Sequence, residues 1–358
     1  MRKDERDEMT EKKDRVELVV SASPHIRKGA TVERIMYAIA LCLFPAIGAS
    51  VYWHGLRILP IVAVSVIGAI LAEYIAMKLM KKRFYMDGSA LVTGLVLGLM
   101  MPPYLSYSQL WLPFIGSVFA IAIVKQAFGG LGQNIWSPAA GGFLFCMLSW
   151  EGILKKSWVP VVTEATPLSY LNSWELPVGI TQIDYLWNLF LGGPEIYGAI
   201  GEASVLALLM GGIILICLGY IDWRIPLSFI GTTGLLLLLV SQNGVLTLSH
   251  LFAGGLFLGA FFIATERATS PLTGWGKVLF GIGCGALVFV IRIFASATEG
   301  VAYSIILMNT FTPLIDRFLK TRPFGEMRKK GKKEKEGGRG EKEKGGGEEK
   351  KGGVESGK

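Results

Sequence analysis

The chain has 358 residues, 51% of them hydrophobic and only 18% charged, with a mean hydropathy of +0.47. That balance excludes a soluble enzyme and a disulfide scaffold and reads as an integral membrane protein. Almost all of the formal net charge of +8 sits in residues 317–358, where 15 Lys and Arg face 8 Asp and Glu, so the remainder offers no basic face for nucleic acid.

In chain order, residues 1–33 carry eight basic and eight acidic side chains and form a polar arm with no cleavable signal peptide expected. Ten apolar runs follow in two groups of five, at 35–53, 58–77, 89–101, 110–124 and 139–150, then 203–221, 225–241, 251–264, 278–295 and 300–315. A full span takes about 20 residues, so the shorter runs, such as 89–101 and 251–264, predict broken or tilted helices. The last segment, 321–358, is Gly/Lys/Glu low complexity that cannot bury apolar surface and is expected to be disordered.

The two groups match in layout. Lys125 lies 90 residues after the start of the first and Arg292 lies 89 residues after the start of the second. Five spans per unit force the second copy to enter the membrane in the opposite sense. The expected fold is therefore all-α, with about ten transmembrane helices in two inverted five-helix repeats, 34–150 and 203–320. Lys78, Lys81, Lys82, Arg83, Lys125, Arg224, Arg267 and Lys277 fall on one side, which puts both termini in the cytoplasm and the loop 151–202 outside.

No catalytic constellation and no metal site is expected. Cys42, Cys146, Cys217 and Cys284 stand alone in apolar runs and read as buried small hydrophobes, while His25, His54 and His250 lie far apart. Arg292, near the end of an apolar run, is expected to snorkel to the interface, to pair with Glu299, or to serve a cofactor or ion. Asp87 and Glu266 read as solvated or salt-bridged boundary carboxylates.

Four motifs are more particular than lipid-facing filler. Asp87-Gly88-Ser89-Ala90-Leu91-Val92-Thr93-Gly94 opens a short run with small residues that allow close helix approach or backbone contact with a flat ligand. The stretch from Lys125 through Gln133 and Asn134 to Pro138 gathers glycines, amides and an indole at a boundary, as either a ligand platform or a Gly-rich turn. Thr163-Glu164-Ala165-Thr166-Pro167-Leu168 lies in the outward loop, an ordinary turn or an acceptor for another enzyme. The run from Glu299 to Asp316 sets Ser304, Asn309 and Thr312 within a span, as helix glue or pathway.

Together, in this order and spacing, these motifs resemble the D subunit of the Rnf ion-translocating ferredoxin:NAD oxidoreductase complex, and next the B subunit of the sodium-pumping NADH:quinone oxidoreductase. The resemblance implies an electron-transfer subunit in the cytoplasmic (inner) membrane, coupled to Na⁺ or H⁺ movement. It implies FMN esterified through its phosphate to Thr166 by a separate flavin transferase, and a second flavin, riboflavin, in the membrane interior. Gly88, Ser89, Thr93, Lys125, Gln133 and Asn134 are the candidate flavin contacts. The implied partners are the A and E membrane subunits, the FMN-carrying G subunit and the B and C iron–sulfur subunits. From the residues alone, a small-solute channel or secondary transporter and a structural scaffold remain as alternatives.

Overall fold

The computed structural model describes residues 31–81, 85–158, 181–193, 198–294 and 300–319, and every regular element among them is helical. The first half holds α1 (Val32–His54), α2 (Ile58–Leu79), α3 (Ser89–Met100), α4 (Tyr107–Gln126) and α5 (Pro138–Ser149). Short α6 (Glu151–Lys156) and α7 (Gln182–Leu191) follow. The second half holds α8 (Val205–Cys217), α9 (Arg224–Ser241), the bent pair α10 (Gly244–Phe252) and α11 (Leu256–Ile263), then α12 (Gly274–Phe294) and α13 (Gly300–Phe318).

Five of these, α1, α2, α4, α9 and α12, are long and apolar enough to cross a membrane, and α10 with α11 makes a sixth if the bent pair is one span. The apolar helices α3, α5 and α8 have only 12, 12 and 13 residues, which at ~1.5 Å per residue falls short of the ~30 Å hydrocarbon layer. The chain is thus a multi-pass membrane protein by its described helices. Leu41, Phe44, Leu239 and Phe294 are exposed, as expected where lipid replaces water.

Because hydrocarbon gives no hydrophobic drive between helices, close packing has to come from small residues. Helix α2 packs on α3 and α4, and α4 on α5; likewise α9 packs on α10 and α12, and α12 on α13. A Cβ on Gly94 would fall 2.7 Å from Val66 Cα, and one on Gly98 would fall 3.0 Å from Val62 Cα, so this Gly-x-x-x-Gly face brings the α2 and α3 backbones together. In the second half, a Cβ on Gly285 would fall 2.7 Å from the Phe229 carbonyl and one on Gly281 would fall 2.9 Å from the Ile225 carbonyl, the same device between α12 and α9. The halves meet through α1 on α8 and α5 on α13.

Among its described residues the connection 151–202 carries α6, α7 and a 3₁₀ turn at Ile200–Glu202, and Tyr185 and Leu189 of α7 are buried against Ala253. One expectation needs correction. Cys217 is exposed at the end of α8, unlike the other three cysteines, because the outer face of that helix lacks a protein neighbour. At the predicted cytoplasmic end, partial burial opposes ionisation of Asp222, but Lys277, 2.9 Å away, and the Arg224 N–H hold its carboxyl below the ordinary carboxylate value.

Gly94→Leu should lower the thermal midpoint of the purified protein by several degrees, since overpacking a tight contact costs about 1–3 kcal/mol. Gly48→Ala, at a position with no atom within 4 Å of the new methyl, should leave it unchanged or slightly raised.

Candidate functional site

The site begins at the start of α3. Gly88 caps that helix with φ of 80°, a left-handed conformation, and a Cβ there would lie 3.1 Å from Met36 Cβ on α1. The Asp87 carboxylate, one residue before the cap, accepts from the Ser89 N–H at 2.9 Å and from the Ser89 hydroxyl at 2.5 Å, so it ties down the first residue of α3. Thr93 donates back to the Ser89 carbonyl at 2.9 Å.

Helix α4 delivers the charge. Its last seven residues, Ala120–Gln126, form a π turn, and the widened turn brings consecutive polar residues inward together: Lys125 and Gln126 are each 2% exposed. Lys125 Nζ donates to Glu73 of α2 in a short ion pair and to the Ser89 hydroxyl, and Gln126 Nε2 reaches the same Glu73 oxygen at 3.3 Å. An ammonium and a carboxylate away from water are tolerated only when paired and hydrogen-bonded, which this cluster provides.

Lys125 also faces a cavity of about 640 Å³, bounded by α1, α3, the start of α5, α11 and the end of α13. Its walls are largely apolar, with Val92 and Val96 of α3 and Phe261, Phe262 and Ile263 of α11 among the lining residues. The polar groups on its lining include Ser89, Thr93, Lys125, Asn134, Glu266 and Thr312. That is the usual constitution of a small-molecule site, apolar with a few placed polar groups. Asn134 donates to the Trp136 carbonyl at 3.1 Å and to Glu266 Oε1 at 3.2 Å, while its buried Oδ1 has no hydrogen-bond partner among the described residues.

Of the residues singled out in the sequence, Ser89, Thr93, Lys125 and Asn134 come together on this cavity, and Gly88 adjoins it through Met36. Gln133 does not line it; it is exposed and folds back over Gly129. Thr166 and Glu299 lie outside the described residues. Of the two carboxylates read as solvated or salt-bridged, Asp87 is part-exposed and bonded to Ser89, while Glu266 accepts from Asn134 on the cavity lining. Arg292 does not snorkel: it is 1% exposed and bonded to backbone carbonyls. Thr312 ties α13 to the Thr269 carbonyl at 2.9 Å, which is the helix-glue role. Sequence reasoning missed Glu73 and Glu202. Glu73 sits inside a full-length apolar span, where an isolated carboxylate is itself the signal of a buried partner.

A sequence model of the family described as NQR2, RnfD, RnfE matches residues 19–325. The chain is 43% identical over 313 residues to the D subunit of the Na⁺-translocating ferredoxin:NAD⁺ oxidoreductase complex of Acetobacterium woodii, covering 86% of this chain and 95% of that one. It is 40% identical over 324 residues to the proton-translocating counterpart of Clostridium ljungdahlii, covering 86% and 96%. With the D subunit of the ion-translocating oxidoreductase complex of Methanosarcina acetivorans it shares 32% over 306 residues, 85% and 95% of the two chains.

Lys125→Met should destabilise the protein strongly, on the order of 3–5 kcal/mol, by leaving the Glu73 carboxylate buried and unpaired. The double variant Lys125→Met with Glu73→Leu should recover most of that loss, read as the thermal midpoint in detergent.

Proposed function

The chain belongs to the NQR2, RnfD, RnfE family, and on that footing we propose that it is the D subunit of an ion-translocating ferredoxin:NAD oxidoreductase complex and carries covalent FMN on Thr166. The observation that carries this reading is end-to-end similarity, 43% over 95% of a relative named as the D subunit of such a complex. Relatives named for Na⁺ and for H⁺ translocation are almost equally similar, at 43% and 40%, so the coupling ion is either of the two.

In this reading the membrane body is two inverted repeats of five spans. Matching α1 to α8, α2 to α9, α3 to α10 and α11, α4 to α12 and α5 to α13 pairs like packings with like, which supports the duplication. Both termini lie in the cytoplasm and Thr166 outside, in the inner membrane, beside the A, E, G, B and C subunits. A separate flavin transferase forms the phosphoester.

The cavity beside Lys125 is the proposed seat of the second flavin, riboflavin. The residues fit such a ring: aromatic and aliphatic walls match its faces, and the unpartnered Asn134 Oδ1 is an acceptor for a ring N–H. A bound flavin supplies the electron-carrier chemistry. The chain's own residues do the rest. Phe261, Phe262 and Val92 exclude water, Asn134 orients, and Lys125, held by Glu73 and Ser89, sets a fixed positive charge at the cavity wall. A covalent tether at Thr166 removes dissociation of the outer carrier.

Thr166→Val, coexpressed with an active flavin transferase, should abolish ultraviolet fluorescence of the denatured band while leaving the protein inserted. Mass spectrometry of the parent peptide should show an FMN-minus-water increment on Thr166. An unmodified peptide, with the transferase active on another target, would move the reading to a solute transporter built on the same repeats.

A further inference from the structure

The carbonyls at the C-terminus of a helix have no donors within it, and in hydrocarbon no water replaces them. Helix α10 ends this way inside the protein. After Phe252 the chain is extended at Ala253, then turns through Gly254 and Gly255 with φ of 72° and 64°, and α11 departs at 63° to α10. Arg292 of α12 meets that break. Its Nη1 donates to the His250 carbonyl at 2.6 Å, and its Nη2 donates to the carbonyls of Ala253 at 2.9 Å and Gly254 at 3.2 Å.

The other side of the break is held by Glu202. Its carboxylate accepts from the Gly254 N–H at 3.1 Å and attracts the guanidinium electrostatically. The bend is thus fixed by a planar cation on its carbonyls and an anion on its amide. Beyond it, α11 carries Phe261, Phe262 and Ile263, which line the same cavity as Val92 of α3. Rings run across the break to that wall: Phe190 with Phe252 at 5.5 Å, Phe252 with Phe257 at 5.7 Å, and Phe257 stacked on Phe261 at 6.3 Å.

Lys125 is the counterpart of Arg292 in the matched layout, and the contrast is chemical. Lys125 reaches the start of α3 and lines the cavity, whereas both terminal nitrogens of Arg292 are taken by backbone carbonyls, its Nε has no hydrogen-bond partner among the described residues, and it does not line the cavity. An ammonium has no planar fork and cannot span three carbonyls of a helix break as a guanidinium does. We propose that Arg292 is a positioning residue for the occupant of the cavity: its fork on the α10 carbonyls sets the angle of α11 and thereby the wall against which a planar ligand lies.

In taking the cavity as the seat of the flavin ring this inference rests on the function proposed above, but its test needs no flavin, so the two fail separately. Cysteine reporters are placed one at a time on the cavity lining, Thr265→Cys beside α11 and Val92→Cys on α3, in a Cys217→Ser background that removes the exposed native thiol and leaves only the buried Cys42, Cys146 and Cys284. In the purified complex, the rate of modification by a small methanethiosulfonate is followed by peptide mass spectrometry. Arg292→Met, combined with Glu202→Gln so that no carboxylate is left unpaired, should raise the rate at position 265 by roughly tenfold or more, the equivalent of losing one charge-assisted hydrogen bond, and leave that at 92 unchanged. Arg292→Lys, which keeps the charge and carries the test if the double variant does not assemble, should also raise the rate at 265. Equal rates in parent and Arg292→Lys, or a parallel rise at both reporters, would overturn the proposal.

Discussion

Two cations buried among apolar helices set the terms for the rest of the structure. Lys125 and Arg292 are 2% and 1% exposed, and neither is tolerable in such surroundings without polar partners. Each finds them at a discontinuity. Lys125 is satisfied where α3 begins, with Ser89 and Glu73, and Arg292 where α10 breaks from α11, with three carbonyls and Glu202 nearby. Helix ends inside a membrane body need polar partners as much as the charges do, so each defect answers the other. The π turn in α4 and the paired left-handed glycines before α11 are the local backbone devices that bring these groups together.

From these anchors the cavity follows. Short α3 and bent α11 cannot fill the volume that two straight spans would, and the space left over is lined by Lys125 and Asn134 and by the phenylalanines of α11. Tight Gly-mediated contacts, Gly94 on Val66 and Gly285 on Phe229, hold the surrounding helices rigid, so the cavity belongs to the fold and does not require rearrangement to exist. A membrane subunit whose proposed task is to hold flavins needs that: fixed position, restricted water and a fixed charge. It does not need an acid, base or nucleophile of its own.

Much of this was legible in the sequence because the bilayer enforces it. Apolar runs at 58–77 and 225–241 became α2 and α9 within a few residues, and the short runs at 89–101 and 251–264 became a short helix and part of a bent pair. Ser89, Thr93, Lys125 and Asn134, drawn from two separate motifs as candidate flavin contacts implied by the family resemblance, do share one cavity. Partnering was less legible, because it depends on contacts far apart in sequence. Glu73 to Lys125 spans 52 residues and Arg292 to His250 spans 42, and nothing local to Arg292 distinguishes a carbonyl fork from a side chain rising to the interface. Gln133 shows the limit of motif reading: it is adjacent to Asn134, yet the glycine turn sends it outward over Gly129.

If the Lys125 cavity seats a flavin distinct from the one proposed on Thr166, the two separate on release of flavin from the assembled complex. Acid precipitation should free riboflavin from the parent complex and leave FMN on the pelleted subunit. In Asn134→Leu, which replaces the amide on the cavity lining by an apolar side chain, the soluble flavin should fall severalfold while the pelleted fluorescence stays constant. Undiminished soluble flavin in that variant, with the complex intact, would contradict the account.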